Sequence, residues 1–187
     1  MTYTAITDER TTSLAAIHLS WGLPTGVEIL ALLNNGITLS ALIGIWPVGA
    51  ATVRFDGPTF EPDPNGARAL TFTVIDGGEI IDIAAWQPRS GKLASWRGQA
   101  FCLGDLDDLF NPATYFGDGA LRIHRTPLEW LKANREGIVI VQPRYAFAYL
   151  SQARRIECAD TKHAAQLDRW LRPPKRTAKI VCRKDAA

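Results

Sequence analysis

The chain has 187 residues, 47% apolar and 21% charged, with a formal net charge of +2. That composition suits one globular domain with a full core and excludes a disordered, collagen-like or disulfide-scaffold chain. The small net charge hides a division: residues 1–119 hold six basic and thirteen acidic residues, a balance of −7, and residues 120–187 hold fifteen and six, a balance of +9.

Leu14, Ile17, His18 and Trp21 fall at i, i+3, i+4 and i+7. The spacing predicts a short helix over 13–21 with His18 turned to the core. Gly22-Leu23-Pro24 breaks it. Thr25 and Glu28 then have the spacing of a capping box, and the helix they open ends at Asn35-Gly36. It is apolar nearly all round, which predicts a buried helix. The pair is not a helix-turn-helix reader of DNA. A recognition helix needs basic and polar side chains for phosphates and base edges, and this one offers Glu28 and two Asn.

No residue from Ile29 to Val53 is charged, a length that could span a bilayer. Asn34-Asn35-Gly36, Thr38, Ser40 and Pro47 interrupt it, and such residues are costly in lipid. A buried helix followed by a strand over Ile37–Trp46 is the better reading, with no membrane partner. Ala51–Phe55 is the next strand. Residues 57–66 carry three Pro and two Gly, which predicts a loop.

Leu70–Gln87 reads as two strands folded over Asp76-Gly77-Gly78. Gly supplies the positive φ of a tight turn, and the flanks are rich in Thr, Val and Ile. Lys92–Arg97 and Gln99–Leu103 add a strand each, making an antiparallel meander. Residues 104–119 form an acidic loop containing Asp105, Asp107 and Asp108, without the glycine and terminal Glu of a calcium-binding EF-hand.

The last third alternates. Leu121–His124 is a strand, and Thr126-Pro127-Leu128-Glu129 is a second capping box opening a helix to about Arg135. Ile138–Val141 is a buried strand, and Pro143 opens a helix through Leu150. Arg155–Cys158 is a short strand, Asp160 caps a helix to Leu171, and Thr177–Cys182 is a final strand. The fold class is therefore α+β: an antiparallel sheet around the 70–87 hairpin, two N-terminal helices, and a C-terminal alternating α/β portion. It is one domain, with an acidic lobe over 1–119 and a basic lobe over 120–187.

The three cysteines, Cys102, Cys158 and Cys182, match no zinc or redox spacing, and their odd number argues against a disulfide framework. With no basic stretch leading into an apolar run at the N-terminus, a cytoplasmic protein is expected. No P-loop, G-x-G-x-x-G or G-x-S-x-G occurs, and no cofactor is implied. His124 and His163 are expected at the surface or a helix edge.

Two groups of residues point to function. The basic set is the first. Arg122, Arg125, Lys132, Arg135, Arg154 and Arg155 stand among aromatic residues, and such cations neutralise phosphates. Lys132 and Arg135 share a helix face on this reading. The function expected is a non-enzymatic binding or accessory protein whose basic third contacts nucleic acid or an acidic protein surface. The second group is Asp76, Glu79 and Asp82 of the hairpin. Acids on neighbouring strands can hold a divalent ion and orient water, the alternative being a metal-dependent hydrolase. The acid-x-Lys spacing that usually accompanies this is missing, and turn chemistry suits Asp76 better. A third reading is a homo-oligomer in which the acidic lobe of one copy meets the basic lobe of another.

Overall fold

The computed structural model describes residues 9–44, 46–104, 120–151 and 153–173, with side chains from Leu14 onward. The acidic loop's Asp105, Asp107 and Asp108, and the strand expected over 177–182, lie outside the described residues. The architecture is α+β, with helices flanking mixed sheets.

Three helices lead: α1 (Glu9–Ser20), α2 (Gly26–Asn34) and α3 (Leu39–Ile43). The capping box of α2 is complete: Thr25 Oγ1 accepts from Glu28 N–H, and Glu28 accepts from Thr25 N–H at 2.7 Å. Its third turn stops at Asn35-Gly36, where Gly36 takes φ +83°. The strand expected over 37–46 is replaced by α3. Thr38 Oγ1 accepts from Ala41 N–H and so caps a one-turn helix that the apolar run concealed.

Strands β1 (Gly49–Asp56), β2 (Thr59–Pro62), β3 (Ala67–Asp76), β4 (Glu79–Gln87) and β5 (Lys92–Ser95) follow. They close into a barrel in the order β1-β2-β5-β4-β3. The loop expected over 57–66 thus contains a strand. Its Pro58 and Pro64 fall outside β2 and Pro62 is the strand's last residue, so proline's missing N–H does little harm. β3 and β4 are the predicted hairpin. Gly77 and Gly78 turn it with φ +57° and +80°, and Asp76 faces Glu79 across the tip. The register shifts between Val74 and Ile75, leaving an extra residue in β4 that twists the pair. A single parallel pairing, Thr59 with Ser95, closes the barrel between β2 and β5.

Side-chain alternation then divides the core. Val53, Phe60, Ala69, Ile83, Ala85 and Ala94, drawn from all five strands, fill the barrel interior with Leu14 of α1. Phe72, Val74, Ala84 and Trp86 project from the outer face of the β3–β4 wall. There they meet Leu32 of α2, Leu42 of α3, and residues of the second sheet. The hairpin is therefore buried on both faces.

The second sheet contains β6 (Cys102–Leu103), β7 (Leu121–His124), β8 (Ile138–Ile140) and β9 (Ile156–Cys158), in the order β6-β8-β7-β9. β7 runs parallel to β8 and β9, and β6 is antiparallel to β8. Helix α4 (Pro127–Lys132) links β7 to β8. A 3-10 turn (Pro143–Tyr145) and α5 (Ala146–Leu150) lead to β9, and α6 (Thr161–Trp170) follows it. The box expected at Thr126 is half made. Thr126 accepts from Glu129 N–H, but the Glu129 carboxylate turns to Arg125 N–H. Helix α4 ends at Lys132, short of the expected Arg135, because Asn134 and Arg135 take left-handed φ of +54° and +66°.

Candidate functional site

Three of the six basic residues, Arg122, Arg125 and Arg135, have partners within the fold. Arg122 bridges Glu157 at 3.4 Å, and Arg125 bridges Asp160 at 2.6 Å. Arg135 is half-buried and is spent internally. Its Nε donates to Ala41 O at 2.7 Å and its Nη1 to Trp46 O at 2.9 Å, tying α4 to the segment before β1. Burial without a carboxylate partner lowers its pKa. Lys132 and Arg135 share no helix face, since Arg135 lies past the helix in left-handed backbone. Lys132, Arg154 and Arg155 lie on the surface.

Nor are the three hairpin acids brought to one site. Asp76 and Glu79 stand exposed at the tip, whereas Asp82 is fully buried. The buried carboxylate is committed to the backbone. Oδ1 accepts from Ile83 and Arg97 N–H, and Oδ2 from Gln99 and Ala100 N–H, at 2.8 to 3.1 Å. It holds the bend by which the chain leaves β5 for the second sheet. Among the described residues no three His, Cys, Asp or Glu side chains gather to hold a metal ion.

The histidines are structural neighbours of this frame. His18 is buried, as expected; its Nε2 lies 3.1 Å from Thr71 Oγ1. The contact needs a glycine opposite, because a Cβ on Gly49 would lie 2.7 Å from His18 Nε2. His163, expected at a helix edge, is buried instead, with Nδ1 accepting from Ala159 N–H. Burial, and then the charge of Arg125, push its pKa down.

Two places in the fold could receive a ligand. One is the crevice at the carboxyl ends of β7 and β9. The crossovers from β7 to β8 and from β8 to β9 land on opposite sides of β7, and open α/β sheets bind ligands at such a switch point. Here Arg125 and Asp160, the residues that follow those two strands, close on each other. The ion pair holds the Asp160 carboxyl down at about 2, and Asp160 also caps α6 through His163 N–H.

The other is a pocket of about 330 Å³ between α2, the outer face of β3 and β4, and the start of α4. Leu32, Leu70, Trp86 and Leu128 line it with apolar surface. Ala31, Ala69 and Pro88 also line it, and Glu28, Arg68 and Asn35 are the polar members of the described lining. Arg68 grips Glu28 with two hydrogen bonds, Nε to Oε1 at 3.0 Å and Nη2 to Oε2 at 3.1 Å. That contact, joined by the Thr25 amide and hydroxyl, lowers the Glu28 pKa to about 2 against the opposing effect of burial. The Asn35 amide donates to Ala31 O. Trp86 has a buried Nε1 with no hydrogen-bond partner among the described residues, a cost native folds rarely accept.

The sequence did not single out this pocket. Glu28 was legible as a cap, but Arg68 lies 40 residues away, and only the approach of α2 to β3 brings them together.

Helix α2 also presents an unexpected outer face. The helix is not buried all round: Val27 is 78% exposed and Leu30 60%. Among the described residues, no helix is long and apolar enough to cross a membrane. No family model matches the chain, and neither curated proteins nor solved structures give a match.

Proposed function

We propose that this is a binding protein whose site is the pocket between α2 and the barrel wall. Its ligand class is a compact, neutral, largely apolar molecule with one hydrogen-bonding end. The pocket itself is the observation that carries this reading. Its volume of about 330 Å³ lies in the range of small-molecule sites, and such sites pair apolar walls with a few placed polar groups.

The lining favours a neutral ligand because Glu28 and Arg68 cancel each other, so neither an anion nor a cation finds an unmatched charge. The polar end belongs near Arg68 and Asn35, where an Arg68 Nη1 donor and the Asn35 carbonyl are not spent on Glu28 or Ala31. Binding rather than catalysis is favoured by what lines the pocket: among the described residues the lining contains no His, Cys, Ser or Lys, and its one carboxylate is tied to an arginine.

Three probes of similar size test the reading by ligand-observed NMR: acetophenone, ethylbenzene and benzoate. Saturable binding is expected, tightest for acetophenone and weakest for benzoate. Ala31→Trp, a change at an exposed lining position, abolishes it. No saturable binding by any probe, or binding indifferent to Ala31→Trp, overturns the proposal.

The contact with nucleic acid or an acidic protein surface rests on the +9 balance of residues 120–187. It draws less support, because Arg122, Arg125 and Arg135 have intramolecular partners. Its test is a titration of the full chain with single-stranded DNA against salt; binding that is absent or indifferent to salt removes it.

A further inference from the structure

Helix α6 is held to the second sheet by a narrow stripe. Of its ten residues only His163 and Leu167 are buried, and Trp170, half-buried, continues the same face at i, i+4 and i+7. Leu167 and Trp170 pack into the apolar cluster of that sheet. His163 makes the polar contact of the stripe. Its Nδ1 accepts from Ala159 N–H at 3.4 Å, where the chain passes from β9 into the helix.

That bond fixes the protonation state of the docked helix. A ring nitrogen accepts only while it carries no proton, so docked His163 is the neutral imidazole with its proton on Nε2. An imidazolium would set one N–H against another. It would also stand in the first turn of α6, where the helix dipole disfavours a cation. Lys162 precedes it, and Arg125 acts on it from just past the end of β7. Two carboxylates oppose this, Asp160 and Glu129, but Asp160 already binds the Arg125 guanidinium at 2.6 Å and Glu129 the Arg125 N–H at 2.8 Å. His124 of β7 also acts on the ring, and Cys158, which ends β9, turns its thiol to Asp160 O.

We infer that His163 is a proton-operated latch: in mildly acid solution its imidazolium forms, α6 leaves the sheet, and the crevice at the carboxyl ends of β7 and β9 opens. The opening follows from what α6 carries with it. Asp160 is both the cap of α6 and the partner of Arg125, so a departing helix takes the carboxylate away. Arg125 is then left without that partner beside the ends of two parallel strands, and the apolar cluster under Leu167 is uncovered. Little resists the change locally, since β9 is a three-residue strand at the edge of its sheet. The undocked ring titrates near the ordinary 6.5, and burial, then Arg125, hold the docked ring lower. Docking is therefore complete above about pH 6.5 and weakens as pH falls below it, by at most about tenfold per pH unit for one proton.

Hydrogen exchange of the full chain, scaled for intrinsic exchange and followed by NMR from about pH 8 to about pH 5, is the test. Protection of the α6 amides should begin to fall below about pH 6.5, by up to about tenfold per unit. The β3 and β4 amides report whole-chain unfolding, including any contribution of His18, and should lose less. His163→Asn keeps an acceptor near the place of Nδ1 but cannot titrate, so it removes the dependence whatever protection it starts from. Protection of α6 that is indifferent to pH overturns the inference. So does a fall that β3 and β4 share in full, or a dependence that survives His163→Asn. A proton on Nδ1 at about pH 8, read from the ring nitrogen shifts of the unaltered chain, overturns it independently of any variant.

Discussion

The barrel and the second sheet use polar groups in opposite ways. The barrel rests on the long ladder of β3 and β4, ten and nine residues, and buries polar side chains at its margins: Asp82, Thr71 with His18, and Ser95 with Gln142. Each has a partner: Asp82 takes backbone amides, His18 and Thr71 pair with each other, and Gln142 joins Ser95 to Pro58 O. The second sheet has strands of two to four residues and keeps its charged pairs, Arg122 with Glu157 and Arg125 with Asp160, in or near solvent. A buried polar group must find its partner or cost the fold heavily, whereas an exposed pair is screened and contributes little. Charge count is therefore a poor guide to where this molecule is held together. Asp82, with four backbone amides on its carboxylate, lies in the acidic half, while the ion pairs of the basic lobe named above are exposed.

Substitutions can break or sharpen that contrast. Asp82→Ala has the largest expected effect. It leaves the Arg97, Gln99 and Ala100 amides without their acceptor, and urea unfolding should show a loss of about 3 kcal/mol or more. A loss below about 1 kcal/mol would show that water replaces the carboxylate and that the contrast is overstated. Gln142→Ala comes next. Gln142 Nε2 donates to Pro58 O at 2.7 Å and to Ser95 Oγ at 3.0 Å, joining the second sheet to the barrel. About 2 kcal/mol is expected from the same measurement, and a single transition should persist because one apolar cluster spans both sheets.

The third effect is a pH dependence located at His18. Burial lowers its pKa below the ordinary 6.5, opposed by its hydrogen bond to Thr71. The groups that face it are Thr71 of β3 and Gly49 of β1, neither of which titrates. The folded chain therefore holds His18 neutral where the unfolded chain takes a proton. Stability is complete above about pH 6.5 and falls as pH drops below that value toward the lowered folded pKa. His18→Gln should flatten the part of the slope that His163, shifted the same way, does not supply. An unchanged slope in that variant would place the dependence elsewhere. The smallest effect belongs to the second sheet: Arg125→Ala should leave the urea midpoint nearly unchanged, since its pair with Asp160 is exposed. A large drop there would mean that the ion pair closing the carboxyl ends of β7 and β9 holds the sheet together after all.

Much of the fold was legible because its signals are local. The Asp76-Gly77-Gly78 turn, the capping residues Thr25 and Asp160, and the apolar stripe carrying His18 each depend on neighbours within a few residues, and each occurs as read. Errors arose where one local pattern fits two outcomes. The uncharged run after Gly36 suits a strand or a capped one-turn helix, and a proline-rich stretch can still hold four residues of strand.

What the amino-acid order determined alone was the hairpin over 70–87, the helices opened by Thr25 and Asp160, and the division of charge. Closure of the barrel, the path of Asp82 to the Arg97–Ala100 bend, and the meeting of Glu28 with Arg68 were decided only in three dimensions. The same holds for which face of α2 was left outside. The physical reason is common to all four. A side chain's value depends on what it meets after the chain has packed, and partners 15 to 40 residues apart leave no periodic trace along the sequence.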